Sequence, residues 1–376
     1  MADTAFGPNA PEAVKVWSFR TWRQAIASTI AFKLFNIKSD PRSKDNVVQF
    51  LDEPQKGPGA EVNYTLIARL VGRGAQGDNE LTGTEEALTP FTSTLKIDQI
   101  RHSVRVKGAM SQQRVAFNIR QESHVGLADW HAERDDTGLI NQLTGNTIID
   151  ANPALGTIYT GNNPTVAPDA AHMVFANGKT SETGGGSPLA SGDTFTVDLI
   201  LNCIAIAHTN KYPIRPIRLN GMQLHGCLLI HPFQAKSLKK NFSTGQWGDI
   251  QKAAITGGQI TKNPIFTGAL GMYEGVVIHE DKRVPYGNGT EANANDEWNR
   301  LGIASVARGV FVGAQAAAYA LGRAYDTPSK IKWTEELMDG NNVLRVAAAK
   351  IMGLQKARFD SQDLATITVS SFESST

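Results

Sequence analysis

Residues 66–77 read LIARLVGRGAQG and set Gly72, Gly74 and Gly77 at the spacing of a dinucleotide-binding turn behind an apolar run. Such a turn must open a helix, because the pyrophosphate rests on the free N–H groups of the first helical turn. The residues that follow, DNELTGTEEALTPF, are broken by Gly83 and Pro90, and only Leu81, Ala87 and Leu88 are apolar. That is too few for a face repeating every 3.6 residues. Asp98 stands where a ribose-binding acid is expected, yet a βαβ unit needs a crossover of about a dozen residues that has no room here. These glycines therefore read as a flexible hairpin tip, and no nucleotide cofactor is expected.

The densest group of ionisable side chains is Asp129-Trp130-His131-Ala132-Glu133-Arg134-Asp135-Asp136. His131 and Asp135, four apart on one helical face, are close enough to share a metal. The two-histidine spacing of a metalloprotease is missing, so the stretch reads as a solvated, charge-laced helix end. An enzyme centred on His131, Asp135 and the loop near Gly268 is the catalytic alternative. His225 and His231 flank Cys227 with no second cysteine nearby, which argues against zinc. Cys203 and Cys227 sit in apolar company and read as small core residues. The stretch GGGSPL is no nucleophile elbow, and a Walker motif is absent. No catalytic residue, metal or cofactor is expected.

The elements around these residues suggest an α+β chain. Lys plus Arg number 37 and Asp plus Glu 36, so the chain lacks the cationic surface of a protein that grips nucleic acid everywhere. Two cysteines fit a reducing compartment. Neither a signal peptide nor an eighteen-residue apolar run is visible, so no membrane partner is expected. Residues 11–36 have the pattern of an amphipathic helix, with Trp22, Ile26 and Ile30 at fourfold spacing. Gly57 and Gly59 form a hinge around Pro58. EVNYTLIARLV and FTSTLKIDQIRHSVRV then predict a long hairpin around an eighteen-residue polar tip. Its arms would reach roughly 35 to 50 Å. A lone two-stranded hairpin is barely stable in water, so something outside this segment must hold it. Residues 110–144 predict one long helix, softened at Gly126 and Gly138. Residues 145–195 read as a surface excursion. A helix is expected over 194–208, capped by Ser191 or Asp193, followed by short strands at GCLLIH and GVVIHE, and VARGVFVGAQAAAYAL, KIKWTEEL and VLRVAAAKIMGL suggest strands returning to a shared sheet.

Four stretches, in order, carry a resemblance: LTPFTSTLKIDQIRHSVR (88–105), MSQQRVAFNIRQESHVGLADWHAERDD (110–136), CLLIHPFQAKSLKK (227–240) and NPIFTGALGMYEGVVIHE (263–280). They resemble the major capsid proteins of tailed bacteriophages, most of all the branch of short-tailed phages that package a virion RNA polymerase. The resemblance implies the Hong Kong 97-like shell fold. Under it, residues 1–57 form an N-terminal arm, 58–108 an extended hairpin loop and 109–150 the spine helix of a peripheral domain. Residues 151–329 supply most of an axial domain, and 330–376 return strands to the peripheral one.

It further implies self-assembly into pentamers and hexamers of an icosahedral head. Portal and scaffolding or decoration proteins are the expected partners, with weak, non-specific contact to packaged double-stranded DNA. Localisation would be the virion, after assembly in the bacterial cytoplasm. A nanocompartment enclosing a cargo enzyme is the alternative shell of the same fold. Within this reading, Asp78, Glu80, Glu85 and Glu86, together with Arg73, would dock the tip on a neighbour. Their basic counterparts would be groups such as Arg101, Arg105 and Lys107, or those of the N-terminal arm, while Gly72, Gly74, Gly77 and Gly83 let the tip bend.

Overall fold

The computed structural model describes residues 45–51, 60–67, 70, 72–80, 82–83, 85–88, 90–114, 118–146, 159–210, 212–219, 222–241, 269–287, 305–322 and 331–374. The expected helix at 11–36, the hinge at Gly57 and Gly59, and Gly268 lie outside them.

In chain order the strands and helices begin with β1 (Val48–Leu51), β2 (Glu61–Ile67), β3 (Pro90–Lys96), β4 (Asp98–Arg105), α1 (Ala109–Gln113) and α2 (Ile119–Thr144). Next come β5 (Met173–Phe175), α3 (Val197–Thr209), β6 (Ile217–Leu219), β7 (Met222–Leu224), β8 (Gly226–Ile230) and α4 (Pro232–Asn241). The remainder are β9 (Ala269–Tyr273), β10 (Val276–Glu280), β11 (Val306–Val312), β12 (Ala317–Leu321), β13 (Lys332–Met338), β14 (Val343–Lys356), β15 (Arg358–Phe359), β16 (Gln362–Asp363) and β17 (Thr366–Phe372). The architecture is α+β.

Two sheets organise the body. The larger runs β5-β17-β11-β8-β10-β9 and mixes parallel and antiparallel pairs. Its central strands are continuous apolar runs because both faces are covered. Gly226–Ile230 is buried throughout, and Leu199, Ile200, Cys203 and Ala207 of α3 join its core. Both cysteines are buried and free, as core residues.

The second sheet centres on β14, fourteen residues long, which pairs antiparallel with β13, β4 and β12, while β1 adds in parallel to β12. Residues 98–105 therefore belong to the body and not to the hairpin, which corrects the expected arm length. The pairing of β2 with β3 stops at Lys96. There the Lys96 carbonyl crosses β14 at Gly353, where any Cβ would lie 2.1 Å from that oxygen. Only glycine admits so close an approach.

Helix α2 ties the sheets together. Asn118 caps it by accepting from the backbone N–H groups of Arg120 and Gln121, and Gly145, left-handed at φ 60°, ends it. The expected single helix from residue 110 is thus two, α1 and α2, with the strong cap between them at Asn118. Twenty-six residues span about 39 Å. Leu127 and Ala128 pack on Trp333, Val346 and Ala348 of the second sheet, while Leu139 and Leu143 enter the core of the first. Gly138 is no soft spot. A Cβ there would press on Tyr159, Gly161 and Leu354, so its smallness sets the helix-to-sheet distance.

The charged stretch of α2 is not a solvated helix end. His131, Asp135 and Asp136 are buried, because these positions of the helix face the two sheets, while Asp129 stays exposed and Glu133 and Arg134 are half-buried. Lys350 of β14 pairs with Asp135, and Arg283 pairs with Asp136 (2.8 Å), Glu133 (2.9 Å) and Asp281 (3.3 Å). Burial raises the Asp135 pKa against the opposing charge of Lys350. Burial also lowers that of His131, to about 3, so its imidazole is neutral at physiological pH.

Residues 160–193 are likewise not a mere excursion. Asn163 donates to the carbonyls of Lys96 (3.0 Å) and Leu354 (3.1 Å) and accepts from Lys96 N–H (3.0 Å). Gln142 of α2 holds this turn by donating to Thr160 and Asn163 carbonyls. Farther on, β5 joins the six-stranded sheet, and Glu182 pairs with Arg308 and accepts from Ser370 Oγ. Side-chain hydrogen bonds hold this region instead of an apolar repeat, which is why no periodicity marks it. Helix α3 forms where expected, but its N-cap position is Thr196 instead of Ser191 or Asp193.

Candidate functional site

The hairpin of β2 and β3 is two-faced. Alternation sends Val62, Tyr64 and Leu66, with their cross-strand partners Leu95, Ser93 and Phe91, toward the body. Val62 and Leu95 pack on Ala318 and Ala320 of β12. Tyr64 meets Phe359 edge-on at 5.6 Å, and Phe91 meets Tyr212 at 6.5 Å. The outer face is polar, with Thr94 Oγ1 donating to Asn63 Oδ1 (2.7 Å) and Lys96 near Glu61 (3.8 Å). The external support that the hairpin requires thus comes, at its root, from the chain's own body.

Support ends above the root. Ile67, Leu70 and Leu88 are 60%, 52% and 61% exposed, an apolar neck left open among the described residues. Beyond it lies the tip. Arg73, Asp78, Glu80, Glu85 and Glu86 are all exposed. Local bonds shape it: Gly72 N–H donates to Glu86 Oε2 (2.6 Å), Gly83 N–H to Glu85 Oε2 (2.7 Å) and Asn79 Nδ2 to the Gln76 carbonyl (2.6 Å). Gly74, Gly77 and Gly83 have positive φ, whereas Gly72 does not. No helix follows the glycines, so the segment is a tip and not a phosphate cradle.

The basic residues fall elsewhere. Arg101 and Arg105 are exposed on β4, and Lys107 is exposed just past it. The register sets Arg101 beside Ala349 and Lys332, Ser103 beside Ala347 and Thr334, and Arg105 beside Arg345 and Glu336. These side chains share the sheet face opposite α2. Sequence reasoning missed Arg345 and Lys332, although alternation in VLRVAAAKIMGL could have placed Arg345 opposite Val346, Ala348 and Lys350.

Chemistry of other kinds has little footing. Among the described residues no group of three or more His, Cys, Asp or Glu side chains could hold a metal ion. His131 and Asp135 lie inside the body, and His225 bonds His208 at 3.1 Å while His231 stacks on Tyr286. Among the described residues no helix is long and apolar enough to cross a membrane.

A well-packed body carrying an exposed, charged limb defines an assembly subunit. The family model described as phage capsid protein matches residues 6–374. The major capsid protein of Pseudomonas phage KPP25 is 31% identical over 373 residues, covering 95% of this chain and 93% of that protein. The capsid of Ralstonia phage GP4 superposes with a TM-score of 0.76 at 27% identity, over 99% of both chains. The capsid of cyanophage Pam1 shares the fold, with a TM-score of 0.64 at 16% identity over 90% and 94% of the two chains. The chain belongs to the phage capsid protein family. It is a bacteriophage major capsid protein, a structural component of the virion that forms the capsid shell.

Proposed function

We propose that this subunit builds an icosahedral head of Hong Kong 97-like architecture, as pentamers and hexamers around double-stranded DNA. The observation that carries the reading is the hairpin, rooted on its own body by Val62, Leu95 and Tyr64 but exposed at every described residue between Ile67 and Leu88. Residues 58–97 then serve as the extended loop, with β4 in the body, and 109–150, which carry α2, as the spine helix, beneath an arm at 1–57. Residues 151–329 form most of the axial domain, and 330–376 return to the peripheral one. The closer kinship to short-tailed phages with a virion polymerase rests on the four stretches of resemblance.

The tip docks on an adjacent copy through Asp78, Glu80, Glu85 and Glu86, with Arg73 among them, against Arg101, Arg105 and Lys107. Each exposed pair is worth under about 1 kcal/mol. A shell holds every subunit at several such places, so weak links suffice and still allow correction during growth. Head-to-tail contacts between identical copies close into rings when their rotation permits. Near-balanced charge keeps DNA contact weak and non-specific, which suits a duplex that must slide in. Portal and scaffolding or decoration proteins complete the head, assembled in the bacterial cytoplasm.

Negative-stain microscopy of the purified chain tests the reading: particles of uniform diameter are expected, and a monodisperse monomer under all assembly conditions would oppose it. Deleting residues 73–88 is expected to leave a folded, soluble subunit that builds no shells, and normal shells from the deletion would refute the docking.

A further inference from the structure

Two histidines that share no sequence motif meet at one end of α3. His208 lies in the last turn of the helix, and His225 stands at the junction of β7 and β8. His208 Nε2 and His225 Nδ1 are 3.1 Å apart, with ring planes at 87° and ring centroids 5.0 Å apart. The partner of His225 is thus neither His231, which stacks on Tyr286, nor Cys227, which is buried.

These distances do not describe a straight hydrogen bond between rings. Rings meeting end to end would separate their centroids by the 3.1 Å contact plus two ring radii, which exceeds the 5.0 Å observed. The contact is therefore bent, whereas a hydrogen bond prefers to be nearly linear. Bent equally at both rings, the two nitrogen axes cross about 2 Å from each nitrogen, the Zn–N distance of an imidazole ligand.

The surroundings hold both rings in place. His225 N–H donates to the Gly275 carbonyl at 2.9 Å, in the turn between β9 and β10. Gly275 has φ 72°, and a Cβ there would lie 3.0 Å from Cδ2 of the His225 ring. Glycine both adopts this backbone and leaves the ring its room. The end of α3 is fixed by Ile214 N–H, which donates to the carbonyl of the buried Ala207 at 2.8 Å. His208 is exposed and His225 half-buried, so an ion reaches the pair from solvent. The C-terminal end of a helix carries partial negative charge, which favours a cation beside His208.

We propose that His208 and His225 form a surface site for a divalent transition cation of the Zn²⁺ class. Neutral imidazole suits such ions, whereas Mg²⁺ and Ca²⁺ seek oxygen ligands. Among the described residues no third His, Cys, Asp or Glu completes a ligand set. The ion therefore takes two protein nitrogens and fills its remaining positions with water, as an open site does. Binding ties the end of α3 to the root of β8, and occupied chains melt at higher temperature by mass action. This goes beyond shell building, since it gives the body a response to metal in which the hairpin has no part.

Titration of the purified full chain with ZnCl₂ in a calorimeter is the test, with MgCl₂ as the control. The wild type is expected to bind one equivalent of Zn²⁺ at micromolar concentration. His208→Ala changes an exposed side chain at a helix end and is expected to weaken that binding at least tenfold, as is His225→Ala. Circular dichroism checks that each variant is folded. Zn²⁺ is further expected to raise the melting temperature of the wild type and to leave that of His208→Ala unchanged. Wild-type affinity in folded His208→Ala would overturn the site. A wild type that binds Zn²⁺ no better than Mg²⁺ would overturn it equally.

Discussion

The six-stranded sheet and the hairpin use the same strand chemistry with opposite outcomes. Strands β8, β10, β11 and β17 are buried almost residue for residue, and every central ladder has a partner on both sides. Strands β2 and β3 alternate, bury only Val62 and Leu95 fully, and among the described strands pair only with each other. One region is finished within a single chain; the other is finished only at its root. The difference teaches where an assembly protein stores its unsatisfied surface: on a limb whose loosening does not unfold the body.

The sharpest contrast comes from truncating one core side chain in each region. Phe311→Ala is expected to cost about 3–5 kcal/mol in denaturant unfolding, since Phe311 is fully buried beside Gly226. Leu95→Ala, equally buried at the hairpin root, is expected to cost about 2 kcal/mol or less and to fray the hairpin before the body. Equal losses would erase the distinction. Between these lies the buried ion pair that ties α2 to β14. Lys350→Met leaves Asp135 buried without its cation and is expected to destabilise by about 3 kcal/mol, whereas Lys350→Met with Asp135→Leu recovers most of it. A double-mutant cycle of melting curves checks this.

Acid probes the body selectively. Burial raises the Glu182 pKa, but hydrogen bonding and charge from Arg308, with Ser370, outweigh it and leave the value below the ordinary 4.5. A depressed carboxylate contributes stability that is complete above its unfolded pKa and is lost as pH falls through the folded one. Glu182→Gln is therefore expected to be less stable than wild type at pH 7, with the gap closing progressively below about pH 4.3. A gap independent of pH would contradict the pairing. The smallest effect belongs to the tip. Gly77→Ala strains a left-handed position (φ 65°) with open space around it, for about 1 kcal/mol of local cost and no shift in global melting.

The same contrast explains what could be read in advance. GCLLI, VVIHE and VARGVFV announce buried strands because consecutive apolar residues need no partner to be recognised. The tip was legible from its glycines and carboxylates. Strand β4 was misassigned to the hairpin because its partner, residues 345–352, lies more than two hundred positions away and no local pattern marks the turn at Lys96. Asp135 and Asp136 looked wet because helical periodicity cannot reveal Lys350 and Arg283 waiting on distant strands. Asn163 gave no signal, since a latch made of amide hydrogen bonds has no period.

Amide hydrogen exchange on residues 72–88, compared between the free subunit and assembled shells, tests the central claim most directly. Rapid exchange in the free chain and strong protection in the shell, with β8 and β11 equally protected in both, is the predicted result. A tip that exchanges as fast in the shell as in the free chain would contradict the claim that sister copies complete it.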